Sequence, residues 1–109
     1  MTKEELRQYR SIKIEICQIE RRIDELERFG FTDVTQPLRD SYKKKLQELI
    51  DYQLIIEKVI EELDPIEREL MRLRYIDGAD WTEVAATIHY EWTQTHRIHA
   101  KALAKIKNL

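Results

Sequence analysis

The sequence predicts an all-α protein: an N-terminal antiparallel, coiled-coil-like helical hairpin followed by a three-helix module that contains a helix-turn-helix. Three observations predict it. Apolar residues recur in steps of three and four along two long stretches. Only 2 glycines and 2 prolines occur among 109 residues, which leaves little material for β-hairpin turns. Helix-start signals at Asp64 and Asp80 divide the remainder into short helices. The length suits one compact domain or a small domain with a helical appendage. The capping signals put the boundary between residues 63 and 64, giving a hairpin arm over 1–63 and a helix-turn-helix domain over 64–109.

From Thr2 to Phe29 the positions Tyr9, Ile12, Ile16, Ile19, Ile23 and Leu26 form a heptad-type seam, which predicts a long helix pressing one narrow stripe against a partner. Gly30 supplies a left-handed C-cap, and Thr32 to Pro37 reads as a loop whose proline suits a first helical turn. A second seam follows through Tyr42, Leu46, Leu49, Gln53, Ile56, Ile60 and Leu63. Two helices of similar length joined by a short loop fold back on each other. Ile14, Ile50, Leu54 and Val59 lie off the seams and call for another surface, supplied by the C-terminal helices or by a second copy of the chain. A homodimer through the hairpin is the preferred reading, because heptad hairpins commonly pair.

At Leu63-Asp64-Pro65-Ile66-Glu67 the pattern resets, with Asp64 as cap, Pro65 at the first helical position and Glu67 completing a capping box. This helix carries Ile66, Leu70, Leu73 and Tyr75 together with Arg68, Arg72 and Arg74, and Asp77-Gly78 ends it. Asp80-Trp81-Thr82-Glu83 is a second capping box and opens a short helix. A few residues around His89 to Glu91 separate that helix from the last one, which spans about 91–107. A helix, a tight turn and a second helix let the second helix enter the major groove of DNA while the first braces it against the backbone.

The formal net charge is −2, so the chain as a whole does not attract nucleic acid. Residues 64 to 109 carry 7 basic and 7 acidic side chains, but from Trp92 onward Arg97, Lys101, Lys105 and Lys107 occur without a carboxylate, interleaved with His96 and His99. Such a helix fits a small phosphate-facing footprint, and equally a cationic C-terminus favoured by the helix dipole. The single Cys17, the polar start MTKEELRQYR and the absence of a long apolar run suggest a soluble, reducing, cytoplasmic setting without a secretory signal or membrane span. No glycine-rich phosphate loop or convergent catalytic set is visible, so no enzyme and no cofactor are expected. His89, His96, His99 and Cys17 lack zinc-finger spacing, so no metal is expected either.

The run Leu63-Asp64-Pro65-Ile66-Glu67-Arg68-Glu69-Leu70-Met71-Arg72-Leu73-Arg74-Tyr75 resembles the opening of region 4 of primary-type bacterial sigma factors. Ala100-Lys101-Ala102-Leu103-Ala104-Lys105-Ile106 resembles the close of that region's recognition helix, and the spacing between the two runs is ungapped. The resemblance puts Val84, Ala85, Ile88 and Ile98 at buried positions. With its preceding hairpin and its length, the whole chain is similar to small phage and prophage regulators of the ArpU or RinA type, which implies control of phage gene transcription. The resemblance also implies DNA contact through Trp92, Thr93, Gln94, His96 and Arg97. Trp92 and Thr93 stand where the family has an arginine and a glutamate, so the family's promoter sequence does not carry over. Glu91 replaces the family's capping threonine, and Thr95 replaces an apolar residue.

Side-chain chemistry assigns base readout to Thr93, Gln94 and Arg97, since arginine bridges two guanine acceptors and glutamine pairs bidentately with adenine. His96, Lys101 and Lys105 are assigned to the phosphate backbone. Trp92 either packs on sugar or is buried to lock the turn, burial being preferred, and Trp81 is read as buried too. Arg72 and Arg74 are either solvated or close to the DNA backbone. The partners expected are double-stranded DNA and a second copy of the chain, with RNA polymerase as an alternative through the sigma-like surface. A DNA-packaging recognition subunit of small-terminase type is the third reading.

Overall fold

The computed structural model describes residues 1–30 and 32–107. The last two residues of the C-terminal domain drawn from the sequence lie outside the described residues. The chain is all-helical: α1 (Lys3–Arg28), α2 (Thr35–Glu61), α3 (Pro65–Met71) prolonged by a π-helical turn (Arg72–Ile76), α4 (Trp81–Ile88) and α5 (Trp92–Ile106). Among the described residues there is no strand, and no helix is long and apolar enough to cross a membrane.

α1 begins on a reciprocal cap that the sequence reading overlooked. Thr2 Oγ1 accepts from the Glu5 amide at 3.3 Å, and Glu5 Oε1 accepts from the Thr2 amide at 3.3 Å. Glu4 and Glu5 in the first turn and Arg28 in the last suit the helix dipole. The helix stops where Gly30 takes φ 81°, a left-handed conformation that glycine adopts without steric cost. α2 then starts on a second reciprocal pair, Thr35 N to Thr32 Oγ1 at 3.1 Å and Thr32 N to Thr35 Oγ1 at 2.7 Å.

α1 and α2 pack as the expected hairpin. Residue contacts group the chain into two compact units, 11–54 and a larger one that joins 1–10 to 55–109. The boundary at 63 therefore marks a change of element, while packing draws the two free ends of the hairpin in with the C-terminal helices. In unit 11–54, Ile12, Ile16, Ile19, Ile23 and Leu49 are buried, and Lys43 Nζ lies 3.7 Å from Glu27 Oε1. Ile14 and Leu54 remain 62% and 56% exposed, and Ile50 is half-buried.

In the larger unit Leu6, Tyr9, Ile56, Ile60 and Leu63 are buried, as are Leu70, Met71, Tyr75, Val84, Ile88, Ala102 and Ile106. Tyr9 Oη donates to Glu57 Oε1 at 2.9 Å. Val84 and Ile88 occupy the buried positions assigned to them, while Ala85 and Ile98 are half-buried. Three residues separate α2 from α3. Asp64 stands at the N-cap of α3 with extended backbone, but its side chain caps nothing, so the capping box expected with Glu67 does not form. Both carboxylates turn instead to α5, where Lys105 Nζ lies 2.7 Å from Asp64 Oδ2 and 2.5 Å from Glu67 Oε1. Glu67 is only 3% exposed, so this ammonium supplies a charge partner that a buried carboxylate needs. The same contact holds the Asp64 carboxyl below its ordinary pKa and the Lys105 ammonium above its own.

The π-helical turn over Arg72–Ile76 was not anticipated. It closes with Asp77 N bonded to Arg72 O at 2.9 Å, five residues back, and the chain then folds over through Ala79 N to Leu73 O at 2.9 Å. Arg68 and Arg72 both pair with Glu61 at the end of α2. Arg72 thus ties this turn to the end of α2 through an exposed ion pair.

Candidate nucleic-acid interface

The helix-turn-helix is built from α4, a three-residue turn and α5. Asp80 caps α4 as the sequence implies, accepting from the Glu83 amide at 2.8 Å, and that bond holds its carboxyl below the usual carboxylate range. α4 ends on His89, whose φ of 61° and ψ of 41° are left-handed, and Tyr90 N closes the turn onto Ala85 O at 3.2 Å. Glu91 takes the N-cap position of α5 by its extended backbone alone, since its side chain makes no capping bond. The start of α5 at Trp92 is thereby defined.

Successive residues of an α-helix turn by about 100°, so α5 can be divided into faces. One face packs inward through Thr95, His99, Ala102 and Ile106. Thr95 is fully buried and satisfies its hydroxyl on Glu91 O at 2.8 Å. The opposite face exposes Thr93, Gln94, Arg97 and Lys101, with the small Ala100 and Ala104 between them. The three residues assigned to base readout and one assigned to phosphate therefore share one exposed surface.

The remaining assignments fare differently. Trp92 is 55% exposed, so it does not lock the turn by burial. His96 is half-buried between two indoles, its ring 4.5 Å from Trp81 and 4.6 Å from Trp92. Its Nε2 is enclosed and has no hydrogen-bond partner, so that nitrogen does not face a phosphate, and the ring packs at the edge of the face. Lys105 lies on the other edge with its ammonium committed to Asp64 and Glu67. A phosphate contact by Lys105 would have to compete with these two carboxylates.

Beneath this face lies an aromatic cluster. Trp81, half-buried, meets His99 edge-on at 4.6 Å, and Arg74 covers it with its guanidinium carbon 4.7 Å from the ring centroid. Arg74 Nη1 also donates to Ala79 O at 3.1 Å, so Arg74 is fixed in place rather than freely solvated. His99 Nε2 and Tyr75 Oη are 2.7 Å apart, both residues being buried. Burial first, then the positive charges of Lys3, His96, Arg74 and Arg7, push the His99 pKa down to about 4, and desolvation pushes the Tyr75 phenol up. The basic stretch read from the sequence is therefore thinner than its composition suggests. His99 is neutral at ordinary pH and Lys105 is paired, which leaves Arg97, Lys101 and Lys107 exposed.

A second basic feature escaped notice in the sequence. Lys3, Arg7 and Arg10 converge with Arg74 on a cavity of about 230 Å³. Their spacing along α1 places them on one helical face, a signal masked by the stronger apolar seam beside it. Among the described residues, no three His, Cys, Asp or Glu side chains are grouped so as to hold a metal ion. Comparisons of the chain with protein-family models, curated proteins and solved structures give no match.

Proposed function

We propose that the chain is a sequence-specific DNA-binding regulator of transcription, of phage or prophage type, that lays α5 in the major groove. The observation that carries this reading is the exposed face of α5, where Thr93, Gln94, Arg97 and Lys101 stand together. No carboxylate occurs anywhere along that helix. A helix of 15 residues is about 22 Å long and fits a groove about 12 Å wide. Arg97 and Gln94 have the forked donors and acceptors that distinguish guanine and adenine, Thr93 offers a hydroxyl or a methyl, and Lys101 neutralises a phosphate. The hairpin acts as the dimerisation arm, with Ile14 and Leu54 as exposed apolar side chains available to a second copy. A dimer reads two half-sites spaced by about one helical turn or a multiple of it.

Fluorescence anisotropy with fragments of the native locus tests the reading. The expected result is a site preferred at least about tenfold over random duplex at physiological salt. Arg97→Ala is expected to cost about 1–3 kcal/mol and to relax discrimination at one base position, whereas Lys101→Ala weakens all sequences alike and lowers the salt slope. Equal losses on every sequence from both changes would remove the division of roles. Capture of RNA polymerase by the chain in the absence of any preferred duplex would replace the reading with the polymerase-docking one.

A further inference from the structure

Four cations, Lys3, Arg7, Arg10 and Arg74, line one cavity of about 230 Å³ in the unit that carries α5. No carboxylate lines it. Among the described residues Lys3, Arg7 and Arg10 have no ion-pair partner, in contrast to Arg68, Arg72 and Lys105, each of which meets an acidic side chain. Exposed cations on one helix ordinarily splay apart into water, because each like-charged neighbour within a few ångströms raises the energy. Here three of them converge on a fourth that is held rigidly. Arg74 is fixed by the Ala79 carbonyl and the Trp81 ring, and a guanidinium has five N–H donors, so further donors remain after that bond.

The backbone also makes room. Gly78 takes φ 74°, and a Cβ built on it would lie 1.7 Å from Arg10 Nη1. The Arg10 guanidinium thus rests against the bare backbone of Gly78. The positive field is felt by the neighbours of the cavity: Lys3, Arg74 and Arg7 all disfavour protonation of His99, and Arg7 and Arg74 favour the ionised form of Tyr75. Glu4 acts on Tyr75 in the opposite sense but does not line the cavity. A water occupies about 30 Å³, so the space takes a hydrated phosphate group.

We propose that Lys3, Arg7, Arg10 and Arg74 form a phosphate-binding site whose ligand is a backbone phosphate of duplex DNA. The site itself rests on the cavity and its cations; only the duplex as source of the phosphate rests on the DNA-binding reading. Trp81 connects the two surfaces, because it lines the cavity and packs on His96 at the edge of the α5 face. A phosphate seated there anchors the backbone beside the groove that α5 reads, as the first helix of a helix-turn-helix commonly does. It adds affinity without adding sequence information.

The test compares the full chain with the double variant Arg7→Gln/Arg10→Gln, both changes falling on exposed side chains. In a Trp92→Phe background, Trp81 fluorescence is titrated with inorganic pyrophosphate. A saturable change that the double variant abolishes is expected, and no saturable change in the unmutated cavity overturns the site. In parallel, duplex binding is followed against salt concentration, where removing two phosphate contacts lowers the log–log slope by about 1.8 and leaves the ranking of sequences intact. Saturable pyrophosphate binding with an unchanged duplex slope overturns DNA as the source and assigns the site to a free phosphorylated ligand. Duplex binding with both pyrophosphate response and slope unaffected by the double variant overturns the site while the DNA reading stands. Pyrophosphate binding by a chain that binds no duplex leaves the site and removes the DNA reading.

Discussion

The imidazole of His99 lies 2.7 Å from the Tyr75 hydroxyl and against the edge of Trp81, with Lys3, Arg74 and Arg7 close enough for their charges to oppose its protonation. Its folded-state pKa of about 4 lies below the ordinary value of 6.5. Between those two values the unfolded chain takes up a proton that the folded chain refuses. The stability linked to His99 is therefore complete above pH 6.5 and is lost as the pH falls from 6.5 toward 4. The full shift would correspond to more, but solvent at the rim of the ring screens part of it, and a loss of about 2 kcal/mol is expected. Urea unfolding at a series of pH values measures it. His99→Gln should flatten the slope in that window, and an identical slope in the variant would mean that the ring titrates alike in both states.

At the scale of elements, the α4–α5 turn carries an identifiable strain. His89 is exposed and left-handed, a conformation that costs a residue with a Cβ about 1–2 kcal/mol. Glycine removes that cost but loses more freedom on folding, so His89→Gly is expected to stabilise the chain by about 0.5–1 kcal/mol. His89→Val should destabilise it, since a β-branched side chain fits a positive φ worst. Denaturant midpoints of the two variants decide it, and a loss in both would mean that the imidazole contributes more than the conformation costs. Elements of this kind show what was legible in the sequence. The two seams, the Gly30 stop and the Asp80 cap depend on residues within a turn or two of each other, and local spacing reports them. The Asp64–Glu67 box had equally good local spacing and failed, because Lys105, 41 residues from Asp64, offers both carboxylates a charged partner. That contact also sets two carboxylates in competition with any phosphate for Lys105. Trp92 departs from its expected burial for a related reason. Its burial depended on what α4 places opposite it, and His96 covers only one side. The π-helical turn had no signature in composition or period. Thr93, Gln94, Arg97 and Lys101 came together because helical periodicity alone puts them on one face.

For the molecule as a whole, the feature with the most consequence is that the C-terminal helices share one compact unit with the two ends of the hairpin. α3, α4 and α5 have 7, 8 and 15 residues, a size at which a single core is marginal without a metal, a disulfide or a partner. The completion comes from the hairpin ends: Leu6, Ile56 and Ile60 are fully buried in the same compact unit, and Tyr9 is nearly so. Lys3, Arg7 and Arg10 extend from the same first turns of α1, so the segment that completes the core also presents the cations of the cavity. A fragment of residues 64–109 should therefore show no cooperative thermal transition and no near-ultraviolet signal from ordered Trp81, although the helix-turn-helix is formally intact within it. In the full chain Leu6→Ala removes one of those fully buried side chains and should cost about 2–4 kcal/mol by denaturant unfolding. A fragment that unfolds cooperatively, together with a Leu6→Ala chain as stable as the original, would show that the helix-turn-helix is autonomous. The first turns of α1 would then be an appendage to the fold. The opposite pair of results makes the first turns of α1 part of the folding unit that holds α5.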